Sequence, residues 1–327
     1  METNMVSNAK RALVGIALGL ISSTGVAANY PDQPIRLVIP YAAGGPTDVL
    51  GRMVAEQLGR EFDQSVIVEN KAGAAGLVAM GQIARAKPDG YTLLMGDMNL
   101  AVSPALHKNL SFDPVKDFTP IEMIATAPML MLVPVSSPAK TAQEYVALAK
   151  AEPGKFAYAS AGIGSPTHLA TEVLKERYGL DLTHIPYQGA GPALTSLAAG
   201  DTGLMFTGLS AAKPLVEAGK LRALAITGDK RSPVMPDVPT LKEANIDLPE
   251  LSVGSWWGIL TPAGVSPEVA AQLKGGLNKA LASPELKARL SKLNYTQPPE
   301  GTDFSDWIAK ETGTWTAVMK KAGIQPE

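Results

Sequence analysis

Apolar and polar positions alternate in two rhythms along this chain. Short apolar runs of strand length are followed by longer segments with an apolar residue every third or fourth place. From residue 30 onward this pattern predicts strand 35–40, helix 47–59, strand 66–69, helix 77–86 and strand 91–95. In the first helix Val49, Leu50, Met53, Val54 and Leu58 share one face. A βαβαβ run of this kind implies a parallel sheet with helices on both faces. Residues 121–135 break the rhythm. They form one long apolar segment with Thr126, Ala127 and Pro128 in its middle, read here as an extended crossing from one domain to another. A second alternating run follows: helix 141–151, strand 156–160, helix 166–178, strand 182–187, helix 192–199, strand 202–207, helix 211–218 and strand 221–227. Residues 252–261 are again extended and aromatic and carry the chain back. Helices near 267–281, 284–293 and 304–322 complete it. The expectation is an α/β protein of two lobes, 29–127 with 254–327 and 128–253, hinged about a cleft. One continuous doubly wound domain is the alternative, but it gives the two extended crossings no role.

Three strands end in a glycine-rich turn followed by proline: Arg36-Leu-Val-Ile-Pro-Tyr-Ala-Ala-Gly-Gly-Pro46, Phe156-Ala-Tyr-Ala-Ser-Ala-Gly-Ile-Gly-Ser-Pro166 and Leu182-Thr-His-Ile-Pro-Tyr-Gln-Gly-Ala-Gly-Pro192. Proline suits the first helical position, where its missing N–H would have no partner anyway. The N–H groups that follow stay free, and the helix dipole adds partial positive charge. Each unit is thus a candidate anion cradle at the carboxyl end of a strand. None of the turns holds Lys or Arg, so an anion there would meet backbone amides and hydroxyls. That suits a small carboxylate that must be released again.

The first residues have a different character. Lys10 and Arg11 precede the apolar run 12–21, and small residues follow to Ala28. This is the order of a cleavable secretory signal peptide, 1–28, and predicts export. The run is short for a membrane span, although an uncleaved anchor is the alternative. Glu2, Lys10 and Arg11 lie in that segment, so the remainder carries 27 basic and 30 acidic side chains, a net of −3. No basic footprint for nucleic acid is present. There is no cysteine, which excludes disulfides, thiol catalysis and cysteine-ligated metal. His107, His168 and His184 lack the spacing of zinc ligands. Enzyme signatures are poor: no Gly-x-Ser-x-Gly elbow, no Walker lysine loop, and a dinucleotide pattern at Gly189-Ala-Gly191 that fails at its third glycine. No cofactor and no metal are expected.

The chain resembles the Bug receptors, the extracytoplasmic solute-binding proteins of tripartite tricarboxylate transporters. The resemblance is carried by Tyr30-Pro-Asp-Gln-Pro-Ile-Arg36, Ala43-Gly-Gly-Pro-Thr-Asp48, Val68-Glu-Asn-Lys-Ala-Gly-Ala-Ala-Gly76 and Ala86-Lys-Pro-Asp-Gly-Tyr-Thr-Leu-Leu94. It continues through Gly162-Ile-Gly-Ser-Pro-Thr-His-Leu169, Ile185-Pro-Tyr-Gln-Gly-Ala-Gly-Pro-Ala193 and Ser255-Trp-Trp-Gly-Ile-Leu-Thr-Pro-Ala-Gly264. It implies a type II periplasmic-binding-protein fold, a small organic carboxylate as ligand, membrane transporter subunits as partners, and a monomer that makes and breaks no bond. It also implies two loops that grip a carboxylate, which fall here on Tyr41–Asp48 and Ala161–His168. A ligand-sensing protein serving a signalling partner, or an exported α/β hydrolase or lyase, are the rival functions.

The candidate binding residues are Tyr41, Ala42, Ala43, Gly44, Gly45 and Asp48 in the first turn. In the second they are Ser160, Ala161, Gly162, Gly164, Ser165, Thr167 and His168. Tyr187, Gln188 and Gly189 belong to the third. Asp48 is read as ordering its loop, since an acid favours a helix N-terminus but repels a bound anion. The hydroxyls of Ser165 and Thr167 have a choice between capping the helix and meeting a ligand. Asn99 and Thr207 complete the set, at two places where the chain departs from the family pattern. The segment 96–100 replaces a turn that usually carries Ser or Thr, and Thr207 stands where an acid is common. With threonine there, a plain mono- or dicarboxylate, or an aromatic acid stacked on Tyr41, is expected in preference to an amino acid.

Overall fold

The computed structural model describes residues 30–251, 254–298, 301–321 and Pro326. The signal-peptide reading of 1–28 lies outside the described residues. In chain order the elements are β1 (Ile35–Ile39), α1 (Pro46–Phe62), β2 (Val66–Asn70), α2 (Leu77–Ile83), β3 (Thr92–Asp97), α3 (Met98–Leu106), β4 (Phe118–Ala127), β5 (Met129–Pro134), α4 (Ala142–Ala151), β6 (Phe156–Ser160), α5 (Pro166–Tyr178), β7 (Leu182–Pro186), α6 (Ala190–Ala199), β8 (Met205–Gly208), α7 (Leu209–Glu217), β9 (Leu221–Ile226), β10 (Ser255–Pro262), α8 (Pro267–Ala282), α9 (Pro284–Lys292) and α10 (Phe304–Lys321).

The first sheet has the order β2-β1-β3-β10-β4. β1 pairs in parallel with β2 and β3, as the βαβαβ pattern predicts, whereas β10 runs antiparallel to β3 and β4. The second run of elements forms the antiparallel order β8-β5-β9 and the parallel pair β6-β7, linked by a bridge between Tyr158 and Leu204. Helices bury their apolar stripes on these sheets. In α1, Leu50, Met53, Val54 and Leu58 turn inward, against strands contributing Ile35, Leu37 and Ile39. Full burial of each such side chain contributes about 1.5–3 kcal/mol.

Two elements depart from the sequence pattern. α6 opens at Ala190, so Pro192 is its third residue instead of its first. The first four N–H groups of a helix have no internal acceptor, so proline costs nothing at that place either. α3 is absent from the pattern because Pro104 reads as a breaker. The chain tolerates Pro104 because the Ser103 hydroxyl donates to Leu100 O at 3.1 Å, taking the carbonyl that proline leaves without its N–H.

The crossings between sheets are tight. Pro128 alone separates β4 from β5. The returning chain at Gly254 presses on it: a Cβ there would stand 2.3 Å from Ala127 O and 2.9 Å from Pro128 Cα. Gly254 also has φ +73°, the left-handed region that glycine enters at no steric cost.

Candidate ligand-binding site

β1, β3, β6 and β8 all direct their carboxyl ends at one cavity, between the strands that cross from sheet to sheet. Trp257 of β10 is in register with Asp97 of β3, and Met129 of β5 with Gly208 of β8; all four residues line the cavity. The helices that follow these strands and β7 bring their N-terminal ends to the same place. α1 contributes Pro46, Thr47 and Asp48, α5 Pro166 and Thr167, and α6 Ala190, while α3 and α7 contribute their N-cap residues Asp97 and Gly208. Among the described residues five helix N-termini therefore meet there, and no Lys or Arg lines the cavity. α1, α6 and α7 have glycine N-caps and no side-chain cap, so their first N–H groups are left for another acceptor. Each N-terminus stabilises a nearby anion by about 0.3–1 kcal/mol, and by up to ~2 kcal/mol when partly buried. The cavity measures about 30 Å³.

The turns around it are ordered by side chains. Asp48 Oδ2 accepts the Gly44 N–H at 3.0 Å, Oδ1 accepts Asn70 Nδ2 at 2.9 Å, and Arg52 Nε contacts both oxygens. Burial pushes this carboxyl's pKa up, but the bonds from Arg52, Gly44 and Asn70 outweigh it and hold the pKa below the usual value. Asp48 thus reaches the cavity with its charge already matched by Arg52, which the sequence analysis did not single out. In the second turn the hydroxyls are spent internally. Ser165 Oγ donates to Gly162 O at 2.7 Å, and Thr167 Oγ1 accepts the Ala161 N–H at 2.7 Å. Ser160 Oγ accepts from the Gly162 N–H at 3.1 Å and lies 2.6 Å from His184 Nε2. His168 Nδ1 accepts the Gly164 N–H at 3.2 Å.

The fold brings His168 and His184 together, with ring centroids 4.3 Å apart and Tyr158 stacked on His184 at 4.7 Å. Behind them the Tyr158 hydroxyl donates to Glu172, which also pairs with Lys175 at 2.7 Å. Burial lowers the pKa of both imidazoles, that of His184 to about 4 with His168 beside it as a further cause. Sixteen positions separate the two histidines in sequence, on α5 and on β7, so no spacing rule could join them.

The turns also touch one another. Ala42 N–H donates to Gln188 O at 2.9 Å, and Gly191 packs directly on the first turn: a Cβ at Gly191 would stand 2.3 Å from Ala43 O. The second turn rests on Ala75 at Gly162, and on Leu106 and Asn99 at Gly164.

Of the expected residues, Tyr41, Gly45, Asp48, Ala161, Thr167 and Thr207 line the cavity. Gly162, Tyr187 and Gln188 line a more open pocket beside it, and the Tyr187 hydroxyl donates to Ser196 at 2.6 Å, toward α6. Ala42, Ala43, Gly44, Ser160, Gly164, Ser165, His168 and Gly189 are not among the residues that line the cavity. Asn99 is buried, with Nδ2 on Ala75 O at 2.5 Å and Oδ1 without a partner. Of the two tryptophans on β10, Trp256 packs away from the cavity against Phe304 and bonds Glu311, while Trp257 faces it and donates to Thr47 Oγ1 at 2.9 Å.

Sequence reasoning missed one acid. Asp97 is buried in the cavity wall and caps α3. Its Oδ1 accepts the Tyr41 hydroxyl at 3.2 Å and the Asn99 N–H at 3.0 Å. Burial raises its pKa to about 7, against the opposing effect of those two bonds. Its signal was the pattern of an N-cap, an Asp directly before the segment Met98-Asn-Leu-Ala-Val102, obscured by the proline that hid the helix.

The family model described as "Tripartite tricarboxylate transporter family receptor" matches residues 50–324. The chain belongs to this family. Its fold is that of periplasmic binding proteins. It is similar to the periplasmic binding protein BugD, with 33% identity and a TM-score of 0.87 over 91% of this chain and 100% of that one. It is similar to R. palustris Rpa4515, solved with adipate, at 32% identity and a TM-score of 0.86 over 91% and 100%. MatC from Rhodopseudomonas palustris, solved with bound malate, gives 32% identity and a TM-score of 0.84 over 88% and 99%. The family is one of receptors, and the hydrolase or lyase alternative falls away with it.

Proposed function

We propose that this tripartite tricarboxylate transporter family receptor is an extracytoplasmic binding protein that closes around a small organic carboxylate and delivers it to membrane transporter subunits. The observation that carries this reading is the convergence of five helix N-termini on one cavity without a basic side chain. Such a site holds an anion through fixed partial charges and free amides, and lets it go when the amides separate. The solved relatives bound to adipate and to malate support a carboxylate as the anion.

Residues 29–127 with 254–327 act as one lobe and 128–253 as the other, pivoting at Pro128 and Gly254. The turns Tyr41–Asp48 and Ala161–His168 grip the ligand carboxylate from opposite lobes, and the contacts at Gly191 and Gly162 form on closing. Ligand selects the closed state because only there does it touch both lobes. Residues 1–28 direct export to the periplasm and are removed near Ala28, and the protein works as a monomer.

The decisive experiment has three steps: purify the protein, denature it, and identify any released acid by mass spectrometry. A panel of organic acids is then titrated while tryptophan fluorescence is followed, since Trp257 lines the cavity. Saturable quenching by carboxylates, with ligand recovered unchanged, is expected. A protein that binds no carboxylate overturns the reading. N-terminal sequencing from the native host should begin near Asn29; a mature chain retaining Met1 overturns export by cleavage.

A further inference from the structure

We propose that Asp97 decides which carboxylate the cavity keeps: it selects a small acid bearing a hydrogen-bond donor, an ammonium or a hydroxyl, opposite the gripped carboxylate, and it rejects a second carboxylate. This rests on the carboxylate-receptor reading and narrows it to a substrate class.

Three observations carry the inference. The first is charge. Two acids line the cavity, and only one of them is matched by a base. Asp48 is held by Arg52 at 3.0 Å. Asp97 receives only neutral donors, the Tyr41 hydroxyl and the Asn99 amide, and both fall on Oδ1. Neither bond uses Oδ2. The second is an orphan. Thr207 lines the same cavity, and its buried Oγ1 has no hydrogen-bond partner. Buried hydroxyls are ordinarily paired, so this one awaits a group the protein does not supply. The third is placement. Tyr41, Asp97 and Thr207 line one cavity together with Gly45, Asp48 and Ala161 of the two gripping turns, so an acid held by those turns meets the other polar groups with its far end.

A donor-bearing ligand satisfies these groups together. An ammonium gives one N–H to the Asp97 carboxylate and another to Thr207 Oγ1; a hydroxyl gives one and accepts one. A second carboxylate brings only acceptors to a carboxylate that is itself an acceptor, and like charges repel most where water is excluded. The sequence-based expectation took Thr207 as the residue that decides against amino acids. Asp97, arriving from β3 in the other sheet, supplies the acid that Thr207 lacks.

The test uses a matched four-carbon series, butyrate, 4-hydroxybutyrate, 4-aminobutyrate and succinate, titrated by calorimetry at pH 8 into wild-type protein and into Asp97→Asn. The wild type should bind the amino or the hydroxy acid at least tenfold more tightly than succinate, and the relative order of those two identifies which donor is preferred. In Asp97→Asn the preference over succinate should shrink tenfold or more. Asn is itself a good N-cap, and Asp97→Ser, which keeps a capping hydroxyl, provides a second variant should the first fold poorly. Succinate binding tightest to wild type at pH 8, or an order unmoved in both variants, overturns the inference and leaves the receptor reading standing. Failure of every acid, and of any acid recovered from the purified protein, overturns the receptor reading and this inference with it.

Discussion

Gly191→Ala should weaken ligand binding while leaving the protein as stable as before, or more so. Gly191 is the second residue of α6, and its φ lies outside the left-handed region, so alanine fits its backbone. The added Cβ would stand 2.3 Å from Ala43 O, where ordinary contact begins at 3.4 Å. The two turns must therefore part by about 1 Å, and overpacking of that kind costs about 1–3 kcal/mol. On the receptor reading only the closed form contains this contact, so the whole cost falls on the liganded state. A loss of about 5- to 150-fold in affinity follows, at about 1.4 kcal/mol per factor of ten. Stability should move the other way, because replacing glycine in a compatible conformation gains about 0.4–1 kcal/mol. Gly275→Ala is the control: it stands within α8 with nothing within 4 Å of the new Cβ, and should stabilise without changing affinity. Calorimetric titration gives the affinity, and thermal melting of the ligand-free protein gives the stability. Wild-type affinity in Gly191→Ala would refute the argument that these turns meet on binding.

Asp48→Asn removes a charged acceptor from the Gly44 N–H and leaves Arg52 without its counter-charge. Hydrogen bonds to charged groups contribute about 1.5–3 kcal/mol, so a fall in the melting midpoint with weakened binding is expected, and unchanged values in both would refute its ordering role. Two buried groups should pull the acid response of the fold in opposite directions. The His184 pKa is about 4 in the folded protein against 6.5 for the ordinary side chain, so the unfolded chain takes up that proton first and the His184 contribution is lost between about pH 6.5 and 4, with His168 acting in the same direction. Asp97, raised to about 7 by burial, takes up its proton first in the folded protein and gains stability as pH falls from about 7 to 4. Melting curves across that range should therefore rise more steeply toward low pH in His184→Gln than in wild type, and fall more steeply in Asp97→Asn; slopes unmoved in both variants would refute the assignment.

The turns were legible in the sequence because glycine and proline are the residues whose conformational limits show without a structure. Gly44–Pro46 and Gly162–Pro166 stand where a strand becomes a helix, and both prolines open their helices as read. The first crossing was legible for the same reason, since an apolar run with Pro128 at its centre fits neither a single strand nor a helix. What escaped depends on contacts between distant segments. The antiparallel insertion of β10 between β3 and β4 leaves no trace in local periodicity. The use of the Ser165 and Thr167 hydroxyls to hold their own turn depends on distances of 2.7–2.9 Å within it. Asp97 was hidden twice, by the proline of its helix and by its pairing with Tyr41, 56 positions away.

The pressed contact between Pro128 and Gly254 separates two properties that a receptor's sequence can change independently. On the proposed reading, what is recognised is set in the cavity. How tightly it is held depends also on the fraction of molecules already in the competent form, since apparent affinity scales with that fraction. On the proposed two-lobe reading, Ala127, Pro128 and Gly254, packed together at the crossings, set that fraction. Exchanges there can raise or lower affinity for every ligand alike, while exchanges at the cavity wall re-rank ligands. A lineage could thus follow the concentration of its nutrient with one set of positions and the identity of that nutrient with another.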